Sequence, residues 1–62
     1  MTKKDYIKAI EKFIAREGID TTNDLDYNAE IITDTIATLY PVDTDADRDS
    51  LTAAAYEVLK RG

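Results

Sequence analysis

Apolar residues recur at helical spacing in three stretches of this chain, and the breaks between them fall at Gly18 and Pro41, its strongest backbone punctuation. In the first stretch Tyr6, Ile7, Ile10, Phe13 and Ile14 fall on one face. Gly18 ends this helix, because glycine tolerates the left-handed conformation of a C-terminal cap, and Ile19 suits the apolar contact that accompanies such a cap. In the second, Leu25, Ala29, Ile32, Ile36 and Leu39 step by four, three, four and three. Asn23 is the expected cap, Asp24 and Asp26 favour the positive first turn, and Pro41 disfavours helical backbone at Tyr40.

The third stretch places Leu51, Ala55, Val58 and Leu59 on one face, with Lys60 and Arg61 complementing the negative helix end. Its start lies between residues 44 and 47, with either the Thr44/Asp47 pair or Asp47 alone as the cap. These patterns predict an all-α chain, a compact three-helix bundle with helices over residues 3–17, 24–40 and 45–61, forming a single domain over 1–62.

A chain of 62 residues, 44% hydrophobic, supports one core and is too apolar for a disordered acidic tail. A domain of this size buries only about 60% of the surface its unfolded chain exposes, so its stability is modest or shared with a partner. With no Cys and no His, disulfides, thiolate or imidazole metal ligation and the commonest general base are all missing; oligomerisation remains as reinforcement. Charged residues from Lys3 to Lys12 leave no apolar run for a signal peptide, and no apolar run reaches membrane-spanning length. A cytoplasmic protein with no membrane association is expected.

The run Asp43, Asp45, Asp47, Asp49 begins like an EF-hand loop, but Arg48 stands where the turn needs Gly and Ala54 where a bidentate Glu should close the site. Acidic residues also gather at helix N-termini because the macrodipole favours them there. Carboxylate pairs for acid/base chemistry need an apolar pocket that raises one pKa, and a bundle this short has no core to spare for one. The hydroxyl side chains lack a His to activate them, and the only glycines, Gly18 and Gly62, form no phosphate loop. No catalytic residue, cofactor or metal is therefore expected.

Charge is more informative. Residues 1–17 carry five basic and three acidic side chains, residues 18–49 carry Arg48 against nine acids, and the whole chain is −5. Lys4, Lys8, Lys12 and Arg16 step by four along the first helix, and Asp26, Glu30 and Asp34 form a similar ridge on the second. Four residues of helix rise about 6 Å, of the order of a phosphate spacing along one strand, so the acidic ridge has the pitch to occupy a basic groove built for nucleic acid. A solvated helix face kept for solubility carries the same pattern. The net charge and a pI near 4.4 argue against direct nucleic-acid binding through the basic stripe.

Tyr27 and Ile31 lie off the main stripe of the second helix, and Tyr56 off that of the third. Either they line an interface, where tyrosines are favoured anchors, or they form the edge of a wide buried sector.

The opening Met1-Thr2-Lys3-Lys4-Asp5-Tyr6, a second helix containing Ile36-Ala37, Pro41, and a closing helix after Asp43–Arg48 together resemble small bacteriophage-encoded proteins. The likeness covers the outline of the chain and is closest over residues 1–6; the Ala-Cys-Gly ending common in that group is absent. It implies a phage accessory protein, a class that includes small acidic binders of host nucleic-acid enzymes, and it transfers no functional residue. The expected function is protein binding through Asp26, Glu30 and Asp34 for attraction and Tyr27, Ile31 and Tyr56 for contact area. The alternative is a homodimer held by the off-stripe apolar residues.

Overall fold

In the computed structural model, which describes residues 1–61, three helices occupy Lys3–Glu17 (α1), Leu25–Leu39 (α2) and Asp45–Arg61 (α3). The all-α three-helix bundle read from the apolar periodicity is the observed fold.

Each boundary has a local cause. Thr2 and Asp5 form a reciprocal capping box: the Thr2 hydroxyl oxygen accepts from the Asp5 N–H at 3.3 Å, and Asp5 Oδ2 accepts from the Thr2 N–H at 3.0 Å. The Gly18 N–H closes the last turn of α1 on the Ile14 carbonyl at 2.8 Å. Gly18 sits at φ 77°, ψ 174°. Its φ is positive as expected, but ψ is extended rather than left-handed helical, a region open essentially to glycine alone.

α2 begins one residue after the sequence-based start. Asp24, not Asn23, holds the cap position, and its side chain makes no capping hydrogen bond. The Asn23 amide instead reaches Asn28 Oδ1 at 3.4 Å. α2 stops at Leu39, where Tyr40 ahead of Pro41 turns extended, at φ −131°, ψ 144°. For α3, Thr44 is the cap: its Oγ1 accepts from the Asp47 N–H at 3.1 Å.

The centre of the core is Tyr6 and Ile10 from α1, Ile32 and Ile36 from α2, and Leu51 from α3, all fully buried. Ala54 and Ala55 are also buried, and their small size lets the other helices approach α3 closely. α3 is accordingly the central element; α1 and α2 both pack on it and touch each other little. The ends of the α2 stripe depart from the sequence reading, with Leu25 39% and Leu39 58% exposed. Leu25 lines a concavity with Ile14, Ile19, Val58 and Leu59, and Leu39 lines one with Ala9, Phe13 and Ile36, so the two ends of the stripe face open grooves and not the closed core.

Asn28 is a buried polar residue at the edge of the α2 apolar stripe, three residues after Leu25 and four before Ile32. Its amide donates to the Asp20 carbonyl at 3.0 Å, tying the α1–α2 loop down. The loop's own turn is held by Asp20, whose Oδ1 accepts from the Thr22 N–H at 2.9 Å and the Thr22 hydroxyl at 2.6 Å. Those two hydrogen bonds lower the Asp20 pKa.

Candidate protein-binding surface

Asp26, Glu30 and Asp34 recur every four residues on α2 and all three are exposed. With Arg48, Thr52 and Tyr56 of α3 they line a shallow groove of about 430 Å³ between the two helices. Tyr56 is half-buried there and donates its hydroxyl to Asp26 Oδ1 at 2.7 Å. That hydrogen bond, followed by desolvation and the negative charges of Asp26 and Glu30, raises the tyrosine pKa. A carboxylate that accepts from a half-buried hydroxyl is held in one orientation, so Asp26 is the most rigidly placed acid of the ridge.

Tyr27 is 54% exposed and Ile31 39% exposed, and neither lines this groove. At 100° per residue they fall on the outward face of α2, beyond Glu30 and Asp34 as seen from the core. The six candidate residues thus form two adjoining strips: Asp26, Glu30, Asp34 and Tyr56 in the groove, and Tyr27 and Ile31 outside it. Arg48 is the member that sequence reasoning missed. The sequence places it in the first turns of the third helix, and only the packing of α3 on α2 brings it beside the ridge.

α2 contains no Lys or Arg. Elsewhere the cations are partly engaged: Lys3 with Glu57 at 3.2 Å, Arg61 with Glu11 at 3.2 Å and with Glu57 at 3.0 Å, and Arg16 with its neighbour Glu17 at 3.8 Å. Among the described residues, no ion pair involves Asp26, Glu30, Asp34 or Arg48.

The aspartate run of residues 43–49 spans the entry to α3, with Asp45 and Asp47 in its first turn. Among the described residues no group of three or more potential ligands is placed to hold a metal ion. The carboxylates that depart from their ordinary range, Asp5, Asp20 and Glu57, all shift down under hydrogen bonds from Thr2, Thr22 and Lys3 respectively. That is opposite to the direction a general acid requires.

A second concavity, of about 530 Å³, opens at the end of the bundle between Ile14, Ile19, Leu25, Val58 and Leu59. It carries no charged group. None of the described helices is long and apolar enough to cross a membrane. Comparison with protein-family models, curated proteins and solved structures finds no match to this chain.

Proposed function

We propose that the chain is a non-catalytic protein-binding module that presents the acidic face of α2 to a basic surface on another protein. Following the phage resemblance, the partner is a host nucleic-acid-processing protein whose phosphate-binding groove the ridge occupies. One observation carries the reading: Asp26, Glu30 and Asp34 stand exposed, at a common pitch and outside any described ion pair, on a helix with no cation. Fixed, unpaired charge of one sign steers an oppositely charged partner and speeds its association. Tyr27 and Ile31, exposed beside the ridge, supply the apolar contact that slows release.

The test is retention of proteins from a bacterial lysate on the immobilised chain, at rising salt and with duplex DNA as competitor. The expected result is a nucleic-acid-binding protein that elutes as salt rises and is displaced by DNA. E30K/D34K should abolish its retention, whereas Ile31→Asp should mainly speed its release. Retention indifferent to DNA and to both variants would remove the basis of the proposal.

A further inference from the structure

The cationic row of α1 borders a second surface. Lys8, Lys12 and Arg16 line the seam where α1 meets the C-terminal end of α2. Its apolar wall includes Phe13, Leu39 and Tyr40, of which Leu39 is 58% and Tyr40 38% exposed. Two adjoining concavities of about 340 and 250 Å³, which share Ala9, Lys12 and Tyr40, make the seam continuous. It is open because α1 and α2 each pack on α3 and barely on one another. One carboxylate, Asp5, lies within it, and that group is committed to the Thr2 cap.

Lys8 and Lys12 enter no ion pair among the described residues, and Arg16 meets only its chain neighbour Glu17. The row Lys8, Lys12, Arg16 and the row Asp26, Glu30, Asp34 therefore have opposite sign and the same four-residue step, about 6 Å of rise each. They line different surfaces of the bundle, the α1/α2 seam and the α2/α3 groove, and no ion pair among the described residues joins them. Each row also borders exposed apolar side chains, Leu39 and Tyr40 in one case, Tyr27 and Ile31 in the other.

We infer that the α1/α2 seam is a docking surface for a second copy of this chain, which inserts its acidic α2 face there with Asp26, Glu30 and Asp34 opposite the three cations. The contact is heterologous, since one copy offers the seam and the other the ridge. Both surfaces stay open at the two ends of such a pair, so association extends beyond the dimer as concentration rises. Exposed ion pairs dominate the rim, so the association is weak and falls with salt. A copy whose ridge is docked is closed to a basic protein partner, which makes the two associations mutually exclusive.

The experiment is sedimentation velocity of the full chain from micromolar to millimolar concentration, at low and high salt, with helix content checked by circular dichroism. Two charge-reversal variants are compared, K12E/R16E in the seam and E30K/D34K on the ridge, all at exposed positions. The wild-type chain should show reversible growth past the dimer that weakens with salt. Each variant alone should lose affinity roughly tenfold or more, as expected for reversing several rim charges. Mixed together they should recover association, because the intact seam of E30K/D34K meets the intact ridge of K12E/R16E.

A wild-type chain that stays monomeric to millimolar concentration overturns the inference. So does a mixture of the two variants that fails to associate, since the intact seam of one and the intact ridge of the other would then not recognise each other. Failure here is separable from failure of the proposed function: K12E/R16E keeps the ridge and should still retain the lysate protein.

Discussion

Tyr6→Phe should stabilise this protein, against the usual expectation for a change at the centre of a core. The Tyr6 side chain is fully buried, and its hydroxyl has no hydrogen-bond partner among the described residues. Burying a hydroxyl without compensation costs about 1–3 kcal/mol on the scale of protein substitutions. Removing the oxygen recovers that cost but forfeits its dispersion contacts, each worth only about 0.1–0.2 kcal/mol. The net gain is about 1 kcal/mol, which for a domain of this size raises Tm by about 4–8 °C.

The assay is thermal and urea unfolding followed by circular dichroism, with an unchanged urea slope showing that the same surface is exposed on unfolding. A loss of about 1 kcal/mol or more would refute the reasoning, because it would mean that the hydroxyl is bonded in solution. The pH dependence provides an independent check. Burial, and then the charges of Asp47, Asp43 and Asp5, raise the Tyr6 pKa above its ordinary value of 10.0. The folded pKa therefore exceeds the unfolded one, so the stability linked to this proton is complete below about pH 10 and lost as pH rises toward the folded pKa. Phe has no such proton, and the advantage of Tyr6→Phe should widen above about pH 10. Some alkaline loss should remain in the variant, since the Tyr56 pKa is also raised.

Two further outcomes follow from the helix ends. Gly18→Ala should cost about 1–3 kcal/mol in urea unfolding from backbone strain alone, because an added Cβ meets nothing within 4 Å while φ stays at 77°; undiminished stability would show that the turn relaxes freely. Asp5 is held below its ordinary 3.8 by hydrogen bonds from the Thr2 N–H and hydroxyl, so its contribution is present above about pH 4 and lost as pH falls through the folded pKa. Asp5→Asn should flatten part of the acid limb of the stability curve, and an acid limb identical to wild type would contradict that linkage.

The three helices were legible because each carries its own period and its own stop. Gly18 and Pro41 act through their own backbone chemistry, so the ends of α1 and α2 could be placed without knowing what packs where. What depended on neighbours could not be read. Leu25 and Leu39 keep the four-three rhythm of the α2 stripe yet face open concavities, because periodicity gives a direction around the helix and says nothing of how closely the neighbouring helices pack at each end. Asn28 sits at the edge of that stripe, but the partner of its buried amide, the Asp20 carbonyl eight residues away across a loop, could not be read from spacing. The capping box of Thr2 and Asp5 did have a local signal, a Thr followed three residues later by an acid just ahead of an apolar run. At the candidate surface, exposure of Tyr27 and Ile31 followed from helical geometry, whereas the pairing of Tyr56 with Asp26 and the approach of Arg48 required the packing of α3 on α2.

The distribution of charge on α2 bears on whether the ridge serves only solubility. Like charges four residues apart destabilise a helix by about 0.2–0.5 kcal/mol per pair, and α2 has two such pairs, Asp26/Glu30 and Glu30/Asp34. It also lacks any basic residue in its last turn, forgoing a favourable dipole interaction of about 0.3–1 kcal/mol. Together these come to about 1 kcal/mol, in a domain whose size sets total stability at about 3–9 kcal/mol. Interspersed Lys residues would keep α2 as well solvated and add favourable pairs, as Asp5 and Glu11 do three residues either side of Lys8 on α1. Segregated charge is the costlier way to stay in solution and the effective way to meet an oppositely charged surface, which is why the ridge is read as a binding face.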